Sequence, residues 1–202
     1  MKWAKKENER ITATPGDRAR CPACCGWVIA KCGEIKIWHW AHKSMDCDPW
    51  HEPETQWHLQ WKNEFPDDWQ EVVIGNHRAD VKTPKTVVEF QSSPISGQMI
   101  RERENFYGRM VWLINGQKFR DNMEFRRKEG DFYTFRWKHP RKTWWESKKP
   151  IFIDFGSRGL FQVCKIHPNM PCGGWGSFVS KEEFLTDCGR HLKRELVLND
   201  LF

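Results

Sequence analysis

Apolar and polar positions along this chain follow two different periods, and the change from one to the other outlines its elements. Between Glu54 and Phe65, Trp57, Leu59, Trp61 and Phe65 give an apolar side, while Glu54, His58 and Lys62 recur every fourth residue. That spacing predicts a helix with the three polar residues on one face. Pro53 suits its first turn and Pro66 its end. The period then shortens to two. Glu71-Val-Val-Ile74 runs into a Gly75-Asn76 turn, and the strand-like runs His77–Lys82 and Thr86–Gln91 flank a tight turn at Thr83-Pro-Lys-Thr86. Ser93-Pro94 opens a second predicted helix carried by Ile95, Met99, Phe106, Tyr107 and Met110, and Val111–Ile114 reads as a buried strand closed by Asn115-Gly116. Helix, three strands, helix, strand is the order of a mixed sheet flanked by helices, an α/β or α+β domain. Further on, Phe132–Trp137, Ile151–Phe155 and Leu160–Cys164 read as strands, and Ser180-Lys-Glu-Glu183 is a capping box for a short helix that Gly189 closes. Residues before about 50 show no sustained period and are expected to lack regular structure. The expected division is 1–50, 51–116 and 117–202, the last completing or flanking the core.

The hairpin predicted around Pro84-Lys85 carries the chemistry. With those two residues at the tip, paired residue numbers sum to 169, so Asp80 opposes Glu89 and Arg78 opposes Gln91. Alternation puts all four on one face, and Ala79, Val81, Val88 and Phe90 on the buried one. Directly opposed side chains have Cβ atoms ~5 Å apart, a distance at which two carboxylates repel unless a cation or proton lies between them. A hard divalent ion such as Mg²⁺ or Mn²⁺ takes oxygen ligands and answers that conflict. On this reading Asp80→Asn and Glu89→Gln relieve repulsion and leave stability intact. The competing reading is a surface hairpin whose two carboxylates are separately solvated.

Arg78-Ala-Asp80-Val, Val87-Val-Glu89-Phe-Gln91-Ser, Ile95-Ser, Ile100-Arg-Glu-Arg103, Tyr107 and Val111-Trp-Leu-Ile114 resemble, in order and spacing, the competence protein CoiA-like family. That family is grouped with the PD-(D/E)XK nucleases. The resemblance spans roughly residues 20 to 115 and implies a restriction-endonuclease-like core that hydrolyses DNA, in DNA uptake, recombination or phage-related processing. It implies a catalytic metal held by Asp80 and Glu89, with the Phe90 carbonyl as a further ligand and Glu54 as an added acidic residue from the first helix. The superfamily pattern places Lys where this chain has Gln91, which can orient water but brings no charge. Lys62 is a candidate for the missing cation, and His58 for positioning water or phosphate. For Glu54, His58 and Lys62 the competing reading is a solvated helix face.

Cys21-Pro-Ala-Cys24 followed by His39-Trp-Ala-His42 has zinc-ligand spacing, thiolate and imidazole suiting tetrahedral Zn²⁺. The resemblance extends to it, CoiA-like proteins having a Cys pair upstream of a His-aromatic-Ala-His motif. A zinc knuckle is thus expected over 1–50. Cys47 is an alternative ligand, and Cys25, Cys32 and His51 also compete.

Composition adds a direction. The 33 Lys and Arg outnumber 27 Asp and Glu, a net charge of +6 that suits an acidic partner. Arg78, Arg101 and Arg103 are candidates for contacting DNA, whether single-stranded, duplex or branched. The stretch Arg136-Trp-Lys-His-Pro-Arg-Lys-Thr-Trp-Trp145 mixes cations with rings; it suits either single strands or a loop packing its tryptophans inward. No secretory signal and no 18-residue apolar run is evident, so a soluble, cytoplasmic protein without a membrane role is expected, and clustered cysteines then argue for metal before disulfide. Two other classes stay open: a non-catalytic nucleic-acid-binding or interaction protein that keeps the nuclease fold, and an inhibitory protein binding an acidic surface. An HNH-type nuclease using His39 or His51 as base is a minor alternative, lacking a downstream Asn/His pair.

Overall fold

The structure is a computed structural model that describes residues 1–35, 37–43, 47–167 and 172–190. It resolves into two compact units, Met1–Lys82 and Thr83–Phe202. The division falls at the predicted Thr83–Thr86 turn, away from residues 50 and 116.

The first unit begins with strands where no regular structure was expected. β1 (Ala4–Lys6), β2 (Glu9–Ile11), β3 (Arg18–Arg20), β4 (Trp27–Lys31) and β5 (His39–His42) form an antiparallel sheet in the order β2-β1-β3-β4-β5. With three to five residues each, these strands are too short to establish a visible period. Glu7 and Asn8, both at positive φ (49° and 69°), make the two-residue turn between β1 and β2. One face of the sheet packs Met1, Ala4, Ala13, Ala19, Cys21, Val28 and Trp40 into a small core.

Helix α1 (Gln56–Lys62) is shorter than predicted. Thr55, extended at φ −120°, is its N-cap, so Glu54 lies ahead of the helix and not on its face. The cap explains the start: Thr55 accepts from the His58 N–H, and the Thr55 N–H donates to His58 Nδ1 at 3.2 Å. β6 (Gln70–Ile74) and β7 (His77–Lys82) then pair as an antiparallel hairpin through the expected Gly75-Asn76 turn.

In the second unit Thr83 N–H donates to Thr86 O (2.9 Å), closing the turn over Pro84-Lys85. β8 (Val87–Gln91) is buried along its whole length and runs parallel to β9 (Met110–Asn115), with α2 (Gly97–Tyr107) as the crossover. Helix α2 starts three residues later than Ser93-Pro94 suggested, because Ser96 supplies the cap, accepting from the Met99 N–H at 3.1 Å. Its buried apolar residue is Ile100, while Phe106 is exposed and Met110 belongs to β9. β10 (Met123–Arg127), β11 (Phe132–Trp137), β12 (Ile151–Asp154), β13 (Leu160–His167) and β14 (Gly173–Val179) complete the unit, followed by α3 (Lys181–Asp187). Its strands lie in the order β10-β11-β14-β13-β12-β9-β8, parallel at β12-β9 and β9-β8 and antiparallel elsewhere, a mixed α+β sheet. Phe125, Phe135, Phe155, Phe161 and Phe178 interlock in its aromatic core. In the Arg136–Trp145 stretch, Trp137 stacks on Phe119 and Trp144 packs edge-on against Trp112, so those rings face inward.

Candidate functional site

The metal cluster is built by a turn and a strand of the first unit. Between β3 and β4 the chain folds tightly: Cys21 N–H donates to Gly26 O (2.8 Å), Cys25 N–H to Cys21 O (3.0 Å), and Cys25 takes φ 58°. This loop presents Cys21 and Cys24, and His42 and Cys47 complete a set whose ligand atoms all lie within 4.8 Å of one another. Cys24 Sγ is 3.3 Å from His42 Nε2, and Cys21 Sγ is 3.7 Å from Cys47 Sγ. The sulfurs of Cys21 and Cys24 also accept the Ala23 and Gly26 N–H groups, at 3.4 and 3.3 Å. Burial pushes the Cys24 thiol up, but the Gly26 N–H, His42 and the two neighbouring cysteines outweigh it and bring it down to about 7. Burial and the Cys24 and Cys21 thiols push Cys47 up.

Four convergent soft and imidazole donors fit a closed Cys₃His zinc site, a set able to hold such a metal. His39 is not part of it. Residues i and i+3 of a strand face opposite ways, so His42, paired with core-facing Val28, turns to the cysteines, whereas His39 Nδ1 donates to Ile37 O at 2.8 Å. The fourth member of the cluster is Cys47. Cys25 and Cys32 stand outside the cluster, and His51 Nδ1 lies 3.3 Å from Arg78 Nη2.

A second constellation in the same unit surrounds Lys62. Its Nζ lies 2.9 Å from Glu54, 2.9 Å from Glu71 and 3.2 Å from Asp80. The side chains of Lys62, Glu54 and Glu71 are at most 4% exposed, while that of Asp80 is 22% exposed and forms the wet edge of the group. Burial opposes the Lys62 ammonium, but Glu54, Glu71 and Asp80 overcome it and hold the group well above the usual lysine range. Burial likewise works against the Glu71 charge; Lys62 leads the influences that nevertheless hold its carboxyl well below the ordinary carboxylate value. Glu71 was missed in the sequence. It stands at φ 50° inside β6, and the ladder steps over it from Gln70↔Val81 to Val72↔Ala79. That turn of the backbone lets its carboxylate accept the Lys2 and Trp3 N–H groups at 2.7 and 3.0 Å. An acid heading the otherwise apolar run Val72-Val-Ile74 was the available signal. His58 is buried, and its Nδ1 serves the α1 cap while Nε2 lies 3.6 Å from Glu52, so its ring acts in holding the helix start. Lys62 and His58 are therefore not a solvated helix face.

In the second unit Glu89 is 3% exposed, and Arg103 of α2 donates to its Oε2 at 2.9 Å. Arg103 is thus engaged within the fold, and Arg101 pairs with Glu146 at 2.7 Å on the surface. Gln91, two steps along β8 on the face of Glu89, is buried; its Nε2 donates to Ser93 O (3.1 Å) and its Oε1 has no hydrogen-bond partner. The Phe90 side chain is in the core. Arg78, in the first unit, donates its backbone N–H to Asp48 Oδ2 at 2.8 Å.

Residues 1–49 match the family model for the competence protein CoiA, N-terminal domain. The similarity covers about the first quarter of the chain. The matched segment contains the five-stranded sheet and all four residues of the Cys₃His cluster. No curated protein and no solved structure gives a significant match. Among the described residues no helix is long and apolar enough to cross a membrane.

Proposed function

We propose that this CoiA-like chain is a metal-dependent nuclease that hydrolyses DNA phosphodiester bonds, with Asp80 and Glu89 as its metal-binding carboxylates and a structural zinc at the Cys₃His cluster. The observation that carries the reading is the ring of Glu54, Glu71 and Asp80 around buried Lys62, with Asp80 reaching solvent. Three carboxylates against the Lys62 ammonium and the Met1 ammonium, 3.9 Å from Glu54, leave a formal surplus of one negative charge, and oxygen donors of that kind suit a hard divalent cation. Mg²⁺ or Mn²⁺, when bound, supplies an activated water and neutralises charge on the scissile phosphate. Lys62 fixes the orientation of Asp80 and Glu54. The Oε1 of Gln91, which has no hydrogen-bond partner, is available to accept a hydrogen bond from a water and orient it.

The test is incubation with single-stranded, duplex and branched DNA, with and without Mn²⁺ or Mg²⁺. Cleavage that needs the added cation is expected, and Asp80→Asn or Glu89→Gln should slow it by ~100-fold or more. Full activity in both variants would sink the assignment. Thermal melts belong beside the assay, since each carboxylate neutralises a buried cation and only a folded, inactive variant speaks for catalysis.

One observation favours a non-catalytic nucleic-acid-binding protein: Arg103, 2.9 Å from Glu89, already supplies the balancing positive charge. DNA binding without cleavage under every cation condition assigns that function instead.

A further inference from the structure

The five-stranded sheet of the first unit has two unlike faces. Alternation sends Ala4, Ala19, Val28 and Trp40 inward, each at most 2% exposed. The same alternation sends Lys5, Arg18, Arg20, Trp27, Ile29 and Lys31 outward. Register sets these side by side: Lys5 is opposite Arg20, Arg20 opposite Trp27, Arg18 opposite Ile29, and Lys31 opposite His39. No carboxylate stands among the strand residues of this face. Glu9 pairs with Lys6 on the other side, and Asp17, next to β3, reaches Lys6 at 3.5 Å. Lys5, Arg18 and Lys31 have no ion-pair partner among the described residues.

Trp27 is the unusual member. Of thirteen tryptophans, all within the described residues, only Trp27 and Trp38 are exposed, Trp27 at 59%. Its ring is nonetheless held in place. The Arg20 guanidinium lies 3.7 Å from the ring centroid, and Arg20 Nη1 donates to Cys25 O at 3.2 Å. Arg20 and Trp27 flank the Cys21–Gly26 turn, so the loop that carries two metal ligands also sets the cation beside the ring. Beyond Lys31 the face opens into a groove of about 790 Å³ lined by Lys31, Cys32, Gly33, Ile35, His39 and Ala41, with Glu34 as its acidic member.

We propose that this face binds single-stranded nucleic acid, with Trp27 as the platform for one base and Lys5, Arg18 and Lys31 as phosphate contacts. A ring held beside a guanidinium on a cationic sheet face matches the two features of a single strand, one charged and one flat and stackable. A duplex hides its base faces within the stack and offers nothing to Trp27. The proposal rests on the first unit alone and does not depend on hydrolysis.

Fluorescence anisotropy of a labelled 20-mer oligothymidylate, against a blunt hairpin duplex, tests it without added Mg²⁺ or Mn²⁺. Trp27→Ala should weaken oligothymidylate binding about 5- to 100-fold, with Trp27→Phe recovering most of it. Arg18→Gln with Lys31→Gln should keep the stacking preference but flatten the dependence of log affinity on log salt by about 1.4. Metal content measured alongside confirms that each variant has kept its turn. Unchanged oligothymidylate binding in both the Trp27→Ala and the double variant overturns the proposal. So does an equal loss on the duplex, which would mean phosphate contact without stacking. Competition by polyglutamate as effective as by oligothymidylate also overturns it, and assigns the face to an acidic protein.

Discussion

His39 and His42 share a strand, yet His42 alone turns toward Cys21, Cys24 and Cys47, because three steps along β5 reverse the face. His39→Ala should therefore keep about one zinc per chain by elemental analysis, whereas Cys47→Ser should lose most of it. The Cys-x₂-Cys half was legible because a tight turn follows from Pro22 and Gly26; the histidine pair misled because its spacing suits one ion on a helix or turn but not on a strand. The acidic residues divide in the same way. Asp80 was legible from alternation, but Glu71 was hidden, since a left-handed φ in mid-strand leaves no trace in periodicity. Glu71 also predicts a pH response. Its folded-state value is depressed well below the ordinary value of about 4.5, so its contribution is fully present above 4.5 and is lost as pH falls from there through the folded value. Urea midpoints of wild type and Glu71→Gln should differ at neutral pH and draw together only as pH falls well below 4.5; parallel curves would refute the pairing.

At the scale of elements, the chain order of helix, three strands, helix and strand was readable because α1, β6 to β8, α2 and β9 each carry a clear period. What escaped was of two kinds. The strands of the N-terminal sheet are too short, and β14 reads Gly173-Gly-Trp-Gly176, which resembles a loop. It is a strand whose neighbours come so close that a Cβ at Gly174 would lie 2.0 Å from Lys165 O. The placement of α1 turns on its cap. Thr55→Ala should cost ~1 kcal/mol in thermal or urea unfolding and loosen the His58 ring. The neutral outcome that hairpin repulsion implied for Glu89→Gln does not survive the structure. That change leaves the buried Arg103 charge uncompensated, and the variant should melt lower by ~2 kcal/mol or more.

Across the whole molecule, the aromatic wealth is mostly core: seven of the thirteen tryptophans are buried, divided between the two units. The N-terminal sheet has a small core of Met1, three alanines, Cys21, a valine and one tryptophan, so its order leans on the Cys₃His cluster. Chelating the metal should expose that sheet to protease while the Phe125–Phe178 core of the second unit stays protected; uniform resistance would refute that dependence. The Lys62 ring has a consequence for descent. A buried ammonium shared by Glu54, Glu71 and Asp80 cannot be lost alone, because each single replacement strands the charges that remain. Variation at these four positions is thus expected to be correlated across related chains, with lineages either keeping the set or exchanging it in concert, and few viable single-step routes between the two.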